Sequence, residues 1–340
     1  MVIWDEQNPL GVGMDAWTEA GFTQPVIWLM SSARRFCFDE FGPLESDEFA
    51  AAYASIIDQV QAHAEEAGWP EMIYQPIDEP IGHGNRMAIA LRCLPILKDA
   101  GLRTEEDGNL RTGDPDFEAM YPFVDLVNCN FRRHVAQRKL GTWESEMMRR
   151  CREDGKMLWT YNIDLCGYHP EVMRFGMGFG REASVSGGMI EWVWYSPRED
   201  PYTVDPDRRR QNMTYWYPPR EGRAGGPSTG LEGAAEGAID AAYIATFNAA
   251  VAEARGSDDA QRRALADRAV AEYEAKLATI SFTDLRTEMA IQGEWTVPKA
   301  PNAEGLPCVG GEYRMPNGWD PADYDRTRRM LADWIVKLGE

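Results

Sequence analysis

The 340-residue chain is predicted to be an α/β protein: an incomplete (β/α)8 barrel of the TIM type with extra C-terminal helices. Between residues 25 and 196, short apolar runs alternate with amphipathic segments, the order expected of parallel strands joined by helices. The run VIWLM at Val26–Met30 is apolar throughout, as expected of a strand buried on both faces. The strand–helix units recur at intervals of roughly 25–45 residues, which suits a barrel of about 250 residues.

The apolar runs predict six strands. They are Val26–Met30, Met72–Asp78, Gly101–Glu105, Phe123–Asn130, Lys156–Asp164 and Gly188–Tyr195. A complete barrel of this type has eight strands, so about six of its units are visible in the sequence.

Apolar residues at helical spacing predict three helices between these strands. The first carries an apolar stripe over Phe49–Ala64 and ends at Gly68. The second spans Met87–Leu97, where Pro95 is expected to kink or shorten the helix. The third covers Trp143–Cys151.

The composition changes after the sixth predicted strand. Residues 196–230 are rich in Pro, Gly and Arg and predict a long loop. Helices are predicted at residues 231–255, at residues 257–280 and at Pro321–Leu338.

The predicted elements divide the chain into two domains. Residues 1–255 are expected to form a partial barrel that carries the site. Residues 256–340 are expected to form a helical extension that packs on the barrel.

The charge balance excludes several classes of partner. The chain has 35 Lys and Arg against 55 Asp and Glu, a net charge of −20. Nucleic acid and anionic membranes bind clustered positive charge, so neither is an expected partner. No run of about eighteen apolar residues predicts a membrane-spanning helix, and Met1–Gly13 lacks the features of a secretory signal. We expect a soluble protein, cytoplasmic if Met1 is the true start and exported if a signal lies upstream.

The sequence predicts no metal site and no cofactor. The six cysteines and four histidines show neither Cys-x-x-Cys nor His-x-x-x-His spacing. Gly176–Gly180 is rich in glycine, but it precedes a predicted strand, whereas a dinucleotide-binding fingerprint follows one.

Two adjacent carboxylates stand at the end of the second predicted strand. Asp78 and Glu79 precede Pro80, at the carboxyl end where barrels bind their ligands. Like charges this close favour a proton on one of the two acids, so Glu79 is a candidate general acid and Asp78 its partner. The alternative is structural: one carboxylate caps the next helix or pairs with Arg86.

The ends of the later strands are polar and aromatic. The candidates for ligand binding are Asn130, Trp159, Tyr161, Asn162, Glu191, Trp194 and Tyr195, with Glu105, Glu106, Asp107 and Asn128 at earlier strand ends. Aromatic faces stack on sugar rings and the polar groups bind hydroxyls, so the set is typical of carbohydrate binding. Taken singly, each residue also fits a core or surface position. Alternation separates Glu191 and Tyr195 from Trp192 and Trp194, and which set faces the barrel lumen stays open.

Several short motifs follow one another along the chain. They are Asp78–Pro80, Phe123–Leu126, Leu158–Asn162, Gly187–Tyr195, Asp200–Tyr202 and Glu236–Tyr243. In this order they resemble the catalytic domain of glycoside hydrolase family 123, over about residues 20–255. The resemblance implies a (β/α)8 barrel that acts on glycans such as β-linked N-acetylhexosaminides. The glycine-rich segment Gly230–Gly237 departs from it, because such helices often carry arginines there.

The resemblance also implies that part of the barrel is missing. The family carries its Asp-Glu pair on the fourth strand, whereas here the pair follows the second predicted strand. Strands one and two, and the β-sandwich that usually precedes them, are then absent. Two sheet edges are left unpaired, so we expect the isolated chain to be unstable or to form a homo-oligomer.

The resemblance implies substrate-assisted retaining hydrolysis, in which the 2-acetamido oxygen of the sugar attacks its own anomeric carbon. Asp78 orients the amide nitrogen, and Glu79 protonates the leaving oxygen and then activates water. Tyr161 and Asn162 contact the acetamido group or hydroxyls, and Trp194 floors the sugar pocket.

Two other interpretations stay open. In the first, Glu191 or Asp164 is the nucleophile of an ordinary two-carboxylate mechanism, with Glu79 as the acid. In the second, the chain is a non-catalytic carbohydrate-binding or degenerate barrel, as the missing strands and the unusual late helix suggest.

Overall fold

The structure, a computed structural model, describes residues 8–108, 110–130, 146–161, 170–183, 187–190, 195–196, 213–222, 224–280 and 318–339. The chain divides into two units. Unit 1 comprises Met1–Asn130 and Glu146–Trp159, and unit 2 comprises Phe131–Ser145 and Thr160–Glu340. Within the described ranges, no helix is both long enough and apolar enough to cross a membrane.

Unit 1 alternates helices with strands, which confirms the predicted α/β class. Its helices are α1 (Pro9–Glu19), α2 (Ser31–Phe41), α3 (Asp47–Ala67), α4 (Gly84–Asp99), α5 (Pro115–Met120) and α6 (Glu146–Glu153), with a 3-10 turn at Tyr121–Phe123. Its strands are β1 (Val26–Leu29), β2 (Met72–Gln75), β3 (Glu105–Gly108), β4 (Leu126–Asn130) and the first part of β5 (Met157–Tyr161).

The strands of unit 1 lie side by side in sequence order. β1 pairs in parallel with β2, and a parallel bridge joins Tyr74 of β2 to Thr104 just before β3. β3 pairs in parallel with β4, with Asp107 opposite Asn128, and β5 lies next to β4. Parallel neighbours in sequence order agree with the predicted strand–helix units but do not confirm the predicted (β/α)8 barrel. The barrel is not closed, because among the described strands β1 is paired with β2 alone. Homo-oligomer formation through open edges stays a prediction.

Helix α3 forms where its apolar stripe predicts it. The Ser46 hydroxyl accepts a hydrogen bond from the backbone N–H of Phe49 at 3.1 Å, which satisfies a donor of the first turn. Gly68 ends the helix with a φ of 67°, the left-handed conformation that glycine adopts readily. Phe49, Tyr53 and Ile57 on the stripe are fully buried.

The third strand lies further along the chain than predicted. The prediction placed it at Gly101–Glu105, whereas β3 is Glu105–Gly108. Gly101 instead belongs to the turn after α4, with a φ of 75° and its N–H bonded to the carbonyl of Lys98. The sequence Glu-Glu-Asp-Gly concealed the strand because its residue types are depleted in strands. Helix α4 continues past Pro95, so that proline does not shorten it.

Helices cover one face of the strands in unit 1. Val127, Cys129 and Leu158 pack with Phe117 and Met120 in an apolar core. We call the face that carries Val127 and Leu158 the helix face. Successive strand residues point to opposite sides, so the other face, here the inner face, carries residues 128 and 159.

Unit 2 is mainly helical. Its helices are α7 (Pro170–Met177), α8 (Phe179–Ala183), α9 (Thr229–Arg255), α10 (Ala260–Leu277) and α11 (Pro321–Gly339). Its strands are the end of β5, β6 (Gly188–Ile190), β7 (Tyr195–Ser196), β8 (Met213–Thr214), β9 (Trp216–Tyr217) and β10 (Gly226–Pro227). The three late helices confirm the predicted ones to within a few residues. β7 pairs with β8 and β9 with β10, so part of the predicted 196–230 loop forms antiparallel ladders.

Glycines allow α9 to pack directly on α7. A Cβ atom on Gly233 would overlap the backbone of Pro170. A Cβ atom on Gly237 would lie 2.6 Å from the carbonyl oxygen of Arg174. The glycine-rich start of α9 therefore permits a close approach of two helix backbones, which larger side chains prevent.

A buried ion cluster joins α9 to α7 and α11. The Asp240 side chain is fully buried and accepts hydrogen bonds from Arg174 Nε at 2.7 Å and from Arg328 Nε at 2.6 Å. Arg174 also donates to Asp325, and Arg328 donates to Glu236. The carboxylate of Asp240 is thus paired on both oxygens, which is the condition under which a buried charge is tolerated.

Replacing Gly233 with Ala is expected to lower the free energy of unfolding by about 1–3 kcal/mol, because the added methyl group overlaps the backbone of α7. The matched control is Gly13→Ala in α1, where a Cβ atom meets nothing within 4 Å and alanine favours the helix. Denaturant unfolding of both variants measures the difference. Equal effects of the two substitutions would contradict the close packing of α7 and α9.

Candidate active site

Asp78 and Glu79 lie just beyond the carboxyl end of β2. The Asp78 side chain is half exposed, at 55%. Arg86 Nη1 lies 3.5 Å from Asp78 Oδ2 and donates to the Asp78 carbonyl oxygen at 2.8 Å. The predicted alternative of a pairing with Arg86 is therefore present. The N-cap residue of α4 is His83, so neither carboxylate occupies that position.

Glu79 has an unusual backbone conformation. Its φ is 42°, and it is the only non-glycine residue with a positive φ in the described part of the chain. Such a conformation costs about 1–3 kcal/mol and persists where its surroundings hold it. The backbone N–H of Glu79 donates to Asp107 Oδ1 at 2.8 Å, which fixes the orientation of this peptide group.

The end of β3 lies against the backbone of Glu79. A Cβ atom on Gly108 would be 3.6 Å from the Cα atom of Glu79, which is van der Waals contact. The φ of Gly108 is 129°, a conformation that favours glycine. Gly108 thus brings the carboxyl group of Asp107 to the turn that carries Asp78 and Glu79.

Asp107 is the centre of an acidic cluster. Its carboxyl group is hydrogen-bonded to the carboxyl group of Asp78 as well as to the N–H of Glu79. Burial, and then the charges of Asp78 and Glu79, raise the pKa of Asp107 to about 7, although the Glu79 N–H acts in the opposite direction. Asp107 therefore gains and loses its proton near neutral pH.

Buried polar groups lie beneath this cluster. Glu105 precedes Asp107 by two residues, so both point to the inner face, where Asn128 is opposite Asp107. Glu105 is hydrogen-bonded to Asn128, and burial, followed by the charge of Asp107, raises the pKa of Glu105 well above its usual range. Among the described residues, Glu105 Oε2, Asn128 Oδ1 and Gln75 Nε2 have no hydrogen-bond partner.

Glu106 points the other way. It is opposite Val127 in the register and therefore lies on the helix face. It is 1% exposed, and neither carboxylate oxygen has a hydrogen-bond partner within the described ranges. Burial, and then the charge of Glu105, raise the pKa of Glu106 well above its usual range. The register thus separates the three acids of β3, placing Glu105 and Asp107 on the inner face and Glu106 on the helix face.

The other predicted site residues are spread over both units. Trp159 is half-buried on the inner face of unit 1, and Tyr161 is buried in unit 2, 4% exposed. Asn130 lies in β4 and Tyr195 in β7, where the backbone alone is described. The residues outside the described ranges are Asn162, Asp164, Glu191 and Trp194.

Asp107 is a predicted strand-end candidate for ligand binding, but the sequence pattern does not predict its contact with Asp78 and Glu79. The signal was present, because alternate acids on one strand share a face and Glu105 and Asp107 are alternate. The prediction ended the third strand at Glu105, however, so the alternation was not applied beyond it. The position of β3 is what brings Asp107 to Asp78 and Glu79.

The cluster is suited to proton transfer. The carboxyl groups of Asp78 and Asp107 share a hydrogen bond, the backbone N–H of Glu79 donates to Asp107, and the pKa of Asp107 is raised to about 7. Across the residues that the structure describes, no group of three or more His, Cys, Asp or Glu has the geometry of a metal site. The chemistry that these groups offer is to donate, accept and hold protons, and to stabilise positive charge.

Replacing Glu106 with Met is expected to raise the free energy of unfolding by about 1–3 kcal/mol, because an unpaired buried acid is removed. The folded state holds the proton of Glu106 more tightly than the unfolded state, so wild-type stability is lost as pH rises above about 4.5. The gain of the variant should therefore grow between about pH 5 and pH 8. Glu66→Met, at an exposed position of α3, is the control and should show no such trend. A pH-independent gain would contradict this account.

Comparisons with known proteins give a similarity among the solved structures. No protein-family model matches the chain, and no curated protein matches it. Among solved structures, the chain is similar to a family 123 glycoside hydrolase from Clostridium perfringens, studied for glycolipid glycan hydrolysis. The two share 13% sequence identity with a TM-score of 0.49. The match covers 87% of this chain and 45% of that one, so this chain spans less than half the length of that protein.

Proposed function

We propose that the chain is a glycoside hydrolase acting on a β-linked N-acetylhexosaminide or a related glycan. The observation that carries the proposal is the position of Asp78 and Glu79 at the carboxyl end of β2, with Asp107 hydrogen-bonded to both. Burial, and then the charges of Asp78 and Glu79, raise the pKa of Asp107 to about 7, so this neighbour of the pair can hold a proton near neutral pH. The order of the motifs along the chain supports the choice of substrate class.

Adjacent acids suit a reaction in which the sugar supplies its own nucleophile. An enzyme nucleophile and an acid flank the glycosidic bond, with their carboxyl groups about 5 Å apart in retaining enzymes. Asp78 and Glu79 are adjacent in the turn that follows β2, so they are placed to act on neighbouring atoms of one sugar. The 2-acetamido group is the neighbour of the anomeric centre.

In the proposed reaction, the carbonyl oxygen of the 2-acetamido group attacks the anomeric carbon, and an oxazolinium intermediate forms. Asp78 accepts a hydrogen bond from the acetamido N–H and stabilises the positive charge that develops there. Glu79 donates its proton to the departing glycosidic oxygen, so that the C–O bond breaks and an alcohol leaves. The Glu79 carboxylate then takes a proton from the water that opens the intermediate, and the anomeric configuration is retained.

The barrel and the sugar contacts belong to the same proposal. β2, β3 and β4 are parallel neighbours, so their carboxyl ends form one rim that carries Asp78, Asp107 and Asn128. Trp159 on the inner face is a surface on which a sugar ring can stack. The other proposed substrate contacts are Asn130, Tyr161, Asn162, Glu191, Trp194 and Tyr195.

Replacing Glu79 with Gln is expected to lower kcat/KM for an aryl 2-acetamido-2-deoxy-β-glycoside by about 10²-fold or more, because an amide cannot donate the proton. The loss should shrink for an aryl group that leaves without protonation. Release of the aryl alcohol measures both. Glu66→Gln, an exposed position of α3, is the matched control and should keep wild-type activity. Unchanged activity of Glu79→Gln would refute the assignment.

The substrate-assisted step has its own test. An aryl β-glycoside with a hydroxyl in place of the 2-acetamido group should not be hydrolysed, because the internal nucleophile is gone. Similar rates on both substrates would favour an enzyme nucleophile and the two-carboxylate mechanism. Binding of the acetamido sugar by the wild-type chain with no hydrolysis would favour a non-catalytic carbohydrate-binding barrel.

A further inference from the structure

We propose that Asp107 is a positioning residue of this site, which holds the backbone of Glu79 in place and orients the carboxylate of Asp78. The inference rests on the proposed function and deepens it. It assigns a role to a residue on the strand next to the one that carries the catalytic pair.

The first part of the role concerns Glu79. Its left-handed backbone, with a φ of 42°, is a conformation that a non-glycine residue keeps when its surroundings require it. Asp107 Oδ1 holds Glu79 in this conformation by accepting a hydrogen bond from its backbone N–H at 2.8 Å. Gly108 lies against the Glu79 Cα atom. Without this acceptor, the Glu79 peptide is free to relax, and the direction of its side chain changes with it.

The second part concerns Asp78. Two carboxyl groups form a hydrogen bond when one of them carries a proton. Arg86 lies 3.5 Å from the Asp78 carboxylate, so the positive charge of the cluster is on the Asp78 side. Asp107 instead faces the carboxyl group of Glu105, which is 1% exposed with one oxygen unpartnered among the described residues. These neighbours make Asp107 the donor and Asp78 the acceptor of the hydrogen bond between the two carboxyl groups.

This arrangement depends on pH. The groups around Asp107 are the acids Asp78 and Glu79 from the turn after β2, Glu105 from β3, Asn128 from β4, and Arg86, which reaches Asp78 from α4. The pKa of Asp107 is about 7. Above that pH, Asp107 loses the donated proton and repels the Asp78 carboxylate. Orientation of Asp78 is then lost, and kcat should fall.

Two variants test the role, one that keeps both contacts without the titrating proton and one that removes both. Asp107→Asn keeps an acceptor for the Glu79 N–H and a neutral donor for Asp78, so its kcat at about pH 6 should stay within about threefold of wild type. Its activity should also persist to about pH 8, where wild-type activity falls. Asp107→Ala removes both contacts and should lower kcat by about tenfold or more at every pH, with a smaller change in KM. Asp58→Asn, at an exposed position of α3, is the control and should keep the wild-type pH profile.

A second measurement works without substrate. Because the pKa of Asp107 is raised from 3.8 to about 7 in the folded state, its stabilising contribution is complete below about pH 4 and lost as pH rises to 7. The Tm of Asp107→Asn relative to wild type should therefore increase across that range. If the wild type hydrolyses no glycoside, the proposed function fails while this Tm trend still tests the proton on Asp107. A pH-independent Tm difference, or an Asp107→Asn pH–activity profile parallel to that of wild type, would overturn the inference.

Discussion

The parallel register between β2 and β3 sets the geometry of the acidic site. The bridge between Tyr74 and Thr104 aligns the two strands, so the chain that leaves β2 meets the end of β3 at Asp107. A slip of one residue would turn Asp107 to the helix face and bring Glu106 to the inner face in its place. The contact of Gly108 with Glu79 limits such a slip, because other residues strain the backbone there. The site is therefore a product of strand pairing as much as of its acids.

The sequence predicts features whose causes are local. Helix α3 was found from its apolar stripe and its terminal glycine, and Asp78 and Glu79 were placed at a strand end because an apolar run precedes them. β3 begins four residues and ends three residues after its predicted bounds, because its charged sequence is typical of a loop. A strand of this composition is held by hydrogen bonds to its neighbouring strand, and these bonds cannot be predicted from the local sequence. The role of Asp107 could not be predicted for the same reason.

The start of α9, in unit 2, is a second place where a local sequence pattern does not reveal the contacts that explain it. Gly233 and Gly237 depart from the family that the motifs resemble, because that resemblance leads one to expect arginines in this helix. In the structure the glycines have a physical reason, because the backbone of α7 occupies the space of their side chains. Positive charge at α9 comes instead from Arg174 and Arg328 on the neighbouring helices, both bound to Asp240. The glycines are visible in the sequence, but their partners lie far away along the chain.

The three acids of β3 differ in how far hydrogen bonds compensate the free energy of burying them, and this difference separates structural from functional acids. Burying a carboxyl group destabilises a fold unless hydrogen bonds compensate it. Asp107 is compensated by the Glu79 N–H and by Asp78, and Asp78 is half exposed, so the hydrogen bond between the two acids links Asp107 to solvent. Glu105 is bonded to Asn128 beneath them, whereas Glu106 on the helix face has no partner among the described residues. A residue that is partly buried, compensated and connected to an exposed acid can relay its protonation state to a bound ligand, and on β3 Asp107 meets all three conditions.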